Sequence, residues 1–417
     1  MDISTNIYFG SFQKFIVLAI PFLIASSLYG QDCISPTSKQ EIQGQAIAQI
    51  PFTIHSGLIQ ITARINDSKE LKMYFDSGMS APIVALFHKE LIEEIRLKNT
   101  QQVLLGGAGA DEQKQATLSS GAVVKLIDIE MANQTIVVFD DSRQTSKWQV
   151  DGIMGRTILD SYVTEIDYEN FLITLYDQAD FKIENGFTSI PFTLEMGMPF
   201  IQTTVNIDGS KEIQVKLILD LGHRNALFLM NDSAKNILPP PITITSAIGR
   251  GIQGEVSTKI GRIKELKLGD YPIKNLPTSF IEEGANVGLG KDMMDGDLGQ
   301  LTFNRFNIIF DYKNKQIFLT PNKNFNKPFE FDMAGFGFLE QDRDDTYLIN
   351  YIVENSPASE NDIRKGDKII SINGKNVLDY DYYEVYDLLR QEGKEIKLTI
   401  ERGDERLEKI LKLRRLL

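Results

Sequence analysis

The stretch "LKMYFDSGMSAPIVAL", residues 71–86, decides how this chain folds. Leu71, Met73 and Phe75 recur with a period of two, which predicts a strand. The strand ends on Asp76, enters a Ser-Gly turn at Ser77 and Gly78, and gives way to a second apolar run. A carboxylate at the end of a buried strand is costly unless it is paired. The sequence should therefore supply a partner for Asp76.

The partner lies in an internal repeat. "PFTIHSGLIQITARINDSKELKMYFDSG" (51–78) is similar to "PFTLEMGMPFIQTTVNIDGSKEIQVKLILDLG" (191–222). Both open on Pro-Phe-Thr, pass an Asn-Asp or Asp-Gly turn followed by Lys-Glu, and run an alternating strand into Asp-x-Gly. The two acids, Asp76 and Asp220, stand 144 positions apart. A second pair of segments, "DGIMGRTILDSYVTEIDYENFLITLYD" (151–177) and "VGLGKDMMDGDLGQLTFNRFNIIFDYKNKQIFLTP" (287–321), places its Asp-Tyr hairpins at 167 and 311, at the same separation. This period is far longer than that of solenoid repeats. It predicts a duplicated β-rich lobe, with "LFHKELIEEIRLK" (86–98) as the clearest helix. A pseudo-two-fold axis between the lobes would bring Asp76 and Asp220 face to face.

Two carboxylates about 3 Å apart cannot both ionise, so they share a proton. The ionised acid can take a proton from a trapped water while the protonated one polarises a carbonyl. Gly78 and Gly222 let the backbone turn sharply beside each acid.

The Asp-Ser-Gly at 76–78, the Asp-Leu-Gly at 220–222, and the Gly-bearing strands "DGIMG" and "VGLG" resemble an aspartyl protease of the retropepsin-like group. The form is the pepsin-type, two-lobed single chain of exported bacterial proteins. The resemblance covers about 47–325. It implies two similar β-barrel lobes, 47–186 and 187–325, a catalytic dyad of Asp76 and Asp220, and a β-hairpin flap closing over a peptide or protein substrate. The flap candidates are "LLGGAGADEQ" (104–113), with Gly106, Gly107 and Gly109, and "AIGRGIQGE" (247–255), with Gly249 and Gly251. The resemblance also implies a hydroxyl residue after each acid that locks the two turns together. Ser77 fits and Leu221 does not. That departure favours the rival reading, a peptide-binding pseudoprotease. Met79 and His223 stand where the group has small or hydroxylated residues; His223 and Arg224 would stabilise ionised carboxylates if they lay close to the dyad.

The remainder, 330–417, resembles a PDZ domain, an α+β fold. The marks are the "GFGF" loop (335–338), "ENSPASENDIRKGDKIISINGKNV" (354–377) and an amphipathic helix near 380–391. The resemblance implies strand addition of a C-terminal peptide ligand, with Gly335, Phe336, Gly337, Phe338 and Leu339 as candidate contacts. "TPNKNFNKPFEFD" (320–332) reads as the linker.

The N-terminus predicts export. Lys14 precedes "FIVLAIPFLIASSLYG", a run short for a membrane span and broken by Pro21, so residues 1–30 read as a signal peptide and 31–46 as a tail. The cut near Gly30 leaves a periplasmic or secreted protein without an integral span. The single cysteine, Cys33, rules out an internal disulfide, and Asp32 before it argues against lipidation. The net charge of -13 argues against nucleic acid. "GRGIQG" (249–254) opens no βαβ unit, "GLGKD" lacks the hydroxyl of a P-loop, no G-x-S-x-G occurs, and His55, His88 and His223 are scattered. The sequence thus points to no cofactor and no metal. The fold class is mostly β, and the activity expected is aspartic endopeptidase.

Overall fold

The computed structural model describes residues 41–105, 114–139, 150–251, 254–281, 292–341, 346–380 and 382–417. Residues 1–40, with the expected signal and Cys33, lie outside the described residues, as do Gly106, Gly107, Gly109 and "VGLG".

The strand Leu71–Asp76 forms as its alternation predicts, with Leu71, Met73 and Phe75 fully buried. Tyr74 is buried too, because Leu58, Ala85, Phe87, Phe139 and Val150 cover the opposite face. Leu71–Asp76 pairs with Leu58–Ile65 on one side and runs parallel to Gly152–Gly155 on the other. The ladder continues through Ile83–Leu86, Ile129–Phe139 and Lys114–Leu126, and returns to Leu58–Ile65 at Arg64↔Lys125 and Ile65↔Val124. Six strands thus close a barrel, which removes free sheet edges. The second half repeats it: Met198–Asn206, Glu212–Leu219, Gly296–Leu298, Leu227–Met230, Tyr271–Ile281 and Gly254–Leu268, closed at Thr204↔Lys267 and Val205↔Leu266.

The register explains why the repeat spacing is 140 at Pro-Phe-Thr and 144 at the acids. The first hairpin ends its ladder at Ala63↔Leu71, whereas the second continues through Thr204↔Gln214 and Val205↔Ile213 to Asn206↔Glu212. A longer hairpin thus adds four residues ahead of the second acid.

A six-stranded sheet joins the lobes, in the order Thr188–Pro191, Gln316–Pro321, Phe306–Asp311, Val163–Asp167, Leu172–Tyr176, Ala46–Pro51. At its centre Thr164, Glu165 and Ile166 pair with Phe310, Ile309 and Ile308. Glu165 faces Ile309, its own counterpart 144 positions on, so the pseudo-two-fold axis passes through that pair.

Three expectations need correction. The counterpart of "DGIMG" is "DGDLG" (295–299), not "VGLG": Gly152 and Gly296 occupy equivalent rungs beside Met73 and Leu217. The helix expected over 86–98 is only Leu91–Ile95. The Phe87 N–H donates to Asp151 O (2.9 Å) and keeps the chain extended through residue 87, no side chain caps Glu90, and Arg96 adopts a left-handed φ of 56° that ends the helix. The linker expected at 320–332 packs on the second lobe. Phe325 lies 5.3 Å from the Phe306 ring and 5.7 Å from Tyr271. Arg305 stacks over Phe329 at 3.8 Å and donates to the carbonyls of Asn324 and Pro328.

The C-terminal sheet runs Phe336–Gln341, Thr346–Ile352, Lys368–Ile372, Glu395–Arg402, Glu405–Lys412, with the helix Tyr382–Leu388 packed beside it. It rests on the second barrel through Val353, Phe331, Tyr351, Leu416 and Leu417 against Ile244 and Ile260.

Candidate active site

Asp76 and Asp220 meet between the barrels. The Gly78 N–H donates to Asp76 Oδ1 (2.6 Å), and the Gly222 N–H to Asp220 Oδ1 (2.8 Å). Each acid lies over the other lobe's glycine. A methyl group built on Gly78 would stand 2.7 Å from Asp220 Oδ1, and one on Gly222 would stand 2.5 Å from Asp76 Cγ. Any side chain at either position would displace the opposite carboxyl, so glycine is required here for space as well as for turning.

The two carboxyl groups hydrogen-bond to each other. Burial, ahead of any other cause, raises Asp76 above the ordinary carboxylate range, against the lowering effect of the Gly78 N–H. Asp220 is raised further, by burial first, then by the charge of Asp76 and that of Asp297. The pair therefore holds one proton over a pH range in which an ordinary carboxylate has lost its own.

The turns that carry the acids are locked by half of a symmetric device. Ser77, fully buried, donates from Oγ to Leu219 O (2.7 Å) and accepts the Leu221 N–H (3.0 Å). Leu221, the counterpart of Ser77, has no hydroxyl with which to repeat this. It is fully buried and packs in the core that the two barrels share. Apolar packing thus replaces the second pair of hydrogen bonds. Further contacts hold the first turn: the Tyr312 hydroxyl donates to Ser77 O (3.3 Å), and Gly197, with φ +82°, brings its Cα side against Ser80 O. Arg156 reaches from the first lobe to the Gly197 carbonyl, is paired with Asp160 (2.9 Å), and lies over the Tyr312 ring at 5.4 Å.

His223 does not lie free beside the dyad. Its Nδ1 meets Asp297 Oδ1, and neither atom has another hydrogen-bond partner among the described residues. Arg224 is half-buried and engaged in an interaction of its own. Asp297 was not singled out from the sequence. The signal was available: in "DGDLG" it occupies the place of Ile153 in "DGIMG", but the mistaken pairing with "VGLG" hid it.

Of the flap candidates, Gly249 and Gly251 lie on the strand Thr243–Gly251, which pairs with Gly254–Leu268 to form a hairpin whose last rung is Gly251↔Gly254. The equivalent hairpin of the first lobe, Gln101–Leu105 with Lys114–Leu126, is described up to Leu105↔Lys114.

In the C-terminal domain Phe336–Gln341 is an edge strand, paired among the described residues only with Thr346–Ile352. Its other edge is open to strand addition. Phe336 and Phe338 are buried at 1% and 2% exposure in the domain core. Their rings therefore pack, and the strand's backbone is what a peptide could meet; Leu339 shares that strand, opposite Leu348. Gly337 lies against the Tyr351 ring and Gly335, with φ +84°, against Ser356, so both need a bare Cα. The Gly335 N–H is not available to a ligand, because it donates to Asp332 Oδ2 (2.8 Å), as the Ala334 N–H does to Oδ1 (3.0 Å). Burial pushes Asp332 up to about 6 in spite of these donors.

Residues 348–402 match the family model for the PDZ domain. The C-terminal segment is a PDZ domain. Among curated proteins the chain is similar to a probable CtpA-like serine protease of Staphylococcus haemolyticus strain JCSC1435. The identity is 28% over 180 residues, 43% of this chain and 34% of that protein. The same description from Staphylococcus aureus strain COL matches at 34% identity over 143 residues, 34% of this chain and 27% of that protein. The chain thus spans about a third or less of the length of the curated relatives it matches. Among solved structures, the aspartic proteinase from Irpex lacteus aligns with a TM-score of 0.46 and 12% identity, over 67% of this chain and 98% of that one. Among the described residues no cluster of histidine, cysteine or carboxylate side chains could hold a metal ion, and no helix is long and apolar enough to cross a membrane.

Proposed function

We propose that this chain is an exported aspartic-type endopeptidase whose PDZ domain binds a peptide segment of its substrate or partner. One observation carries the reading: two half-buried, hydrogen-bonded carboxyls, one from each repeat, raised together and seated on each other's glycines. With the shared proton on Asp220, ionised Asp76 takes a proton from a water lying between the two. The resulting hydroxide oxygen bonds to the scissile carbonyl carbon while Asp220 gives its proton to the carbonyl oxygen. The tetrahedral diol collapses as a proton passes to the amide nitrogen and the C–N bond breaks. No covalent bond to the protein forms.

The names of the curated relatives support a peptidase but belong to the serine class, in which an acyl-enzyme forms. Digesting a peptide library in the presence of hydroxylamine separates the classes. Direct attack by water gives free carboxyl termini only, whereas an acyl-enzyme gives hydroxamates. Hydroxamate products would overturn the aspartic reading. Binding of peptides without any cleavage would replace it with the pseudoprotease that Leu221 favours.

A further inference from the structure

Among the differences between the two lobes beside the dyad, one is a carboxylate. Gly152–Gly155 places Ile153 in register with Tyr74, and Gly296–Leu298 places Asp297 in register with Ile218. Residues in register across a parallel pair share a face, as do residues two apart on one strand. Ile153 and Asp297 therefore lie on the faces that carry Asp76 and Asp220. In the first lobe Leu58, Tyr74, Phe87, Val150 and Ile153 line that face, with the uncharged Gln60 in register with Tyr74. In the second, Phe200, Ile218, Phe228 and Met294 make the same wall, and a carboxylate stands where isoleucine would close it. The side chain of Asp297 is 13% exposed.

The position is tied to the dyad through the backbone as well. The Asp220 N–H donates to Leu298 O (3.0 Å), the residue after Asp297. The His223 N–H donates to Asp220 O (3.3 Å), and His223 O accepts the Gln300 N–H (2.7 Å). The His223 ring edge rests on Phe228, and a methyl on Gly299 would come within 3.0 Å of Nδ1. The imidazole is thus wedged between the second active-site turn and the strand that supports it.

We infer that His223 and Asp297 are positioning residues for the dyad: a built side-chain contact that fixes the second turn and sets the pH range over which Asp76 and Asp220 share their proton. This rests on the dyad proposed above. The Asp297 charge acts on both acids and raises them. A positive charge on His223 would offset it. Other charged groups are paired among themselves, Arg156 with Asp160 and Asp295 with Lys235 (2.5 Å); Arg224 has an interaction, and Tyr312 adds a neutral phenol.

The test is a carboxyl titration that does not depend on cleavage. In the full chain, aspartate carboxyls are labelled with carbon-13 and the dyad resonances assigned by Asp76→Asn and Asp220→Asn. Asp297→Asn should lower the higher dyad midpoint by about one pH unit. His223→Gln should raise it, and Asp297→Glu should restore it. If Asp297→Asn folds poorly, Asp297→Ile, which copies the first lobe, serves in its place with the same expected sign. The alkaline limb of the cleavage profile should move with the midpoint. Midpoints unchanged in both the Asp297 and His223 variants would overturn the inference while leaving the protease reading intact. Midpoints that move in a chain that cleaves nothing would uphold the inference and remove the protease reading.

Discussion

Ser77 and Leu221 occupy equivalent places and do opposite things. One spans the lobes with a hydroxyl, and the other packs in their shared core. Ser77→Ala would leave the Leu221 N–H and Leu219 O buried without their present partner, at a cost of roughly 1–3 kcal/mol for each group. Its unfolding midpoint should fall and its cleavage rate with it, as followed by calorimetry and peptide hydrolysis. Leu221→Ala should cost about 2–5 kcal/mol through lost apolar burial and the cavity left behind. Leu221→Thr also removes buried apolar surface, but symmetry offers its hydroxyl the Phe75 carbonyl, so it should lose less than Leu221→Ala and hydrolyse faster than wild type. The pH dependence follows from the dyad. Asp220 has a folded-state pKa above its unfolded value, so the stability it contributes is complete below the unfolded value and is lost as pH rises through the folded one. Asp220→Asn avoids that loss. Its melting temperature should match wild type near pH 4 and exceed it by a growing margin toward neutrality.

At the scale of elements, the alternation in "LKMYF" and the Asp-x-Gly turns made the two central strands legible, because a half-buried strand writes its face into the sequence with a period of two. The helix over 86–98 was overcalled because apolar spacing is blind to a backbone hydrogen bond from residue 87 to a strand far along the chain. The place of Asp297 was missed because "VGLG" matches the apolar-Gly pattern better than "DGDLG" does; only the ladder beside Leu217 fixes the register. The buried state of Phe336 and Phe338 was also out of reach, since a GFGF loop gives no sign of which side its rings take. Asp332 was passed over as part of a linker, yet it holds the turn that opens the PDZ edge strand. Asp332→Ala should leave the Ala334 and Gly335 amides without that partner and lower the stability of the PDZ domain by about 1–3 kcal/mol. Amide exchange would show it as lost protection at Ala334 and Gly335, with the barrels unaffected.

For the whole molecule, the duplication was readable because one spacing recurs at the acids and at the Asp-Tyr hairpins. The partnership of the lobes with the PDZ domain was not, since it depends on residues spread over the second barrel, the connecting segment and the chain's last strand region. That segment belongs structurally to the second lobe. A chain ending at Pro321 would uncover Tyr271 and Phe306 and leave Arg305 without its carbonyls, so it should melt below a chain ending at Phe331. The central claim concerns the two acids together, and one comparison tests it most directly: peptide-library digestion from about pH 4 to 7 by the wild type, Asp76→Asn and Asp220→Asn, each checked for wild-type folding by circular dichroism. Both Asn variants should fold and lose cleavage by at least about 100- to 10,000-fold, while the wild type cuts best on the acid side of that range. A folded Asn variant that still cuts at the wild-type rate would contradict the account.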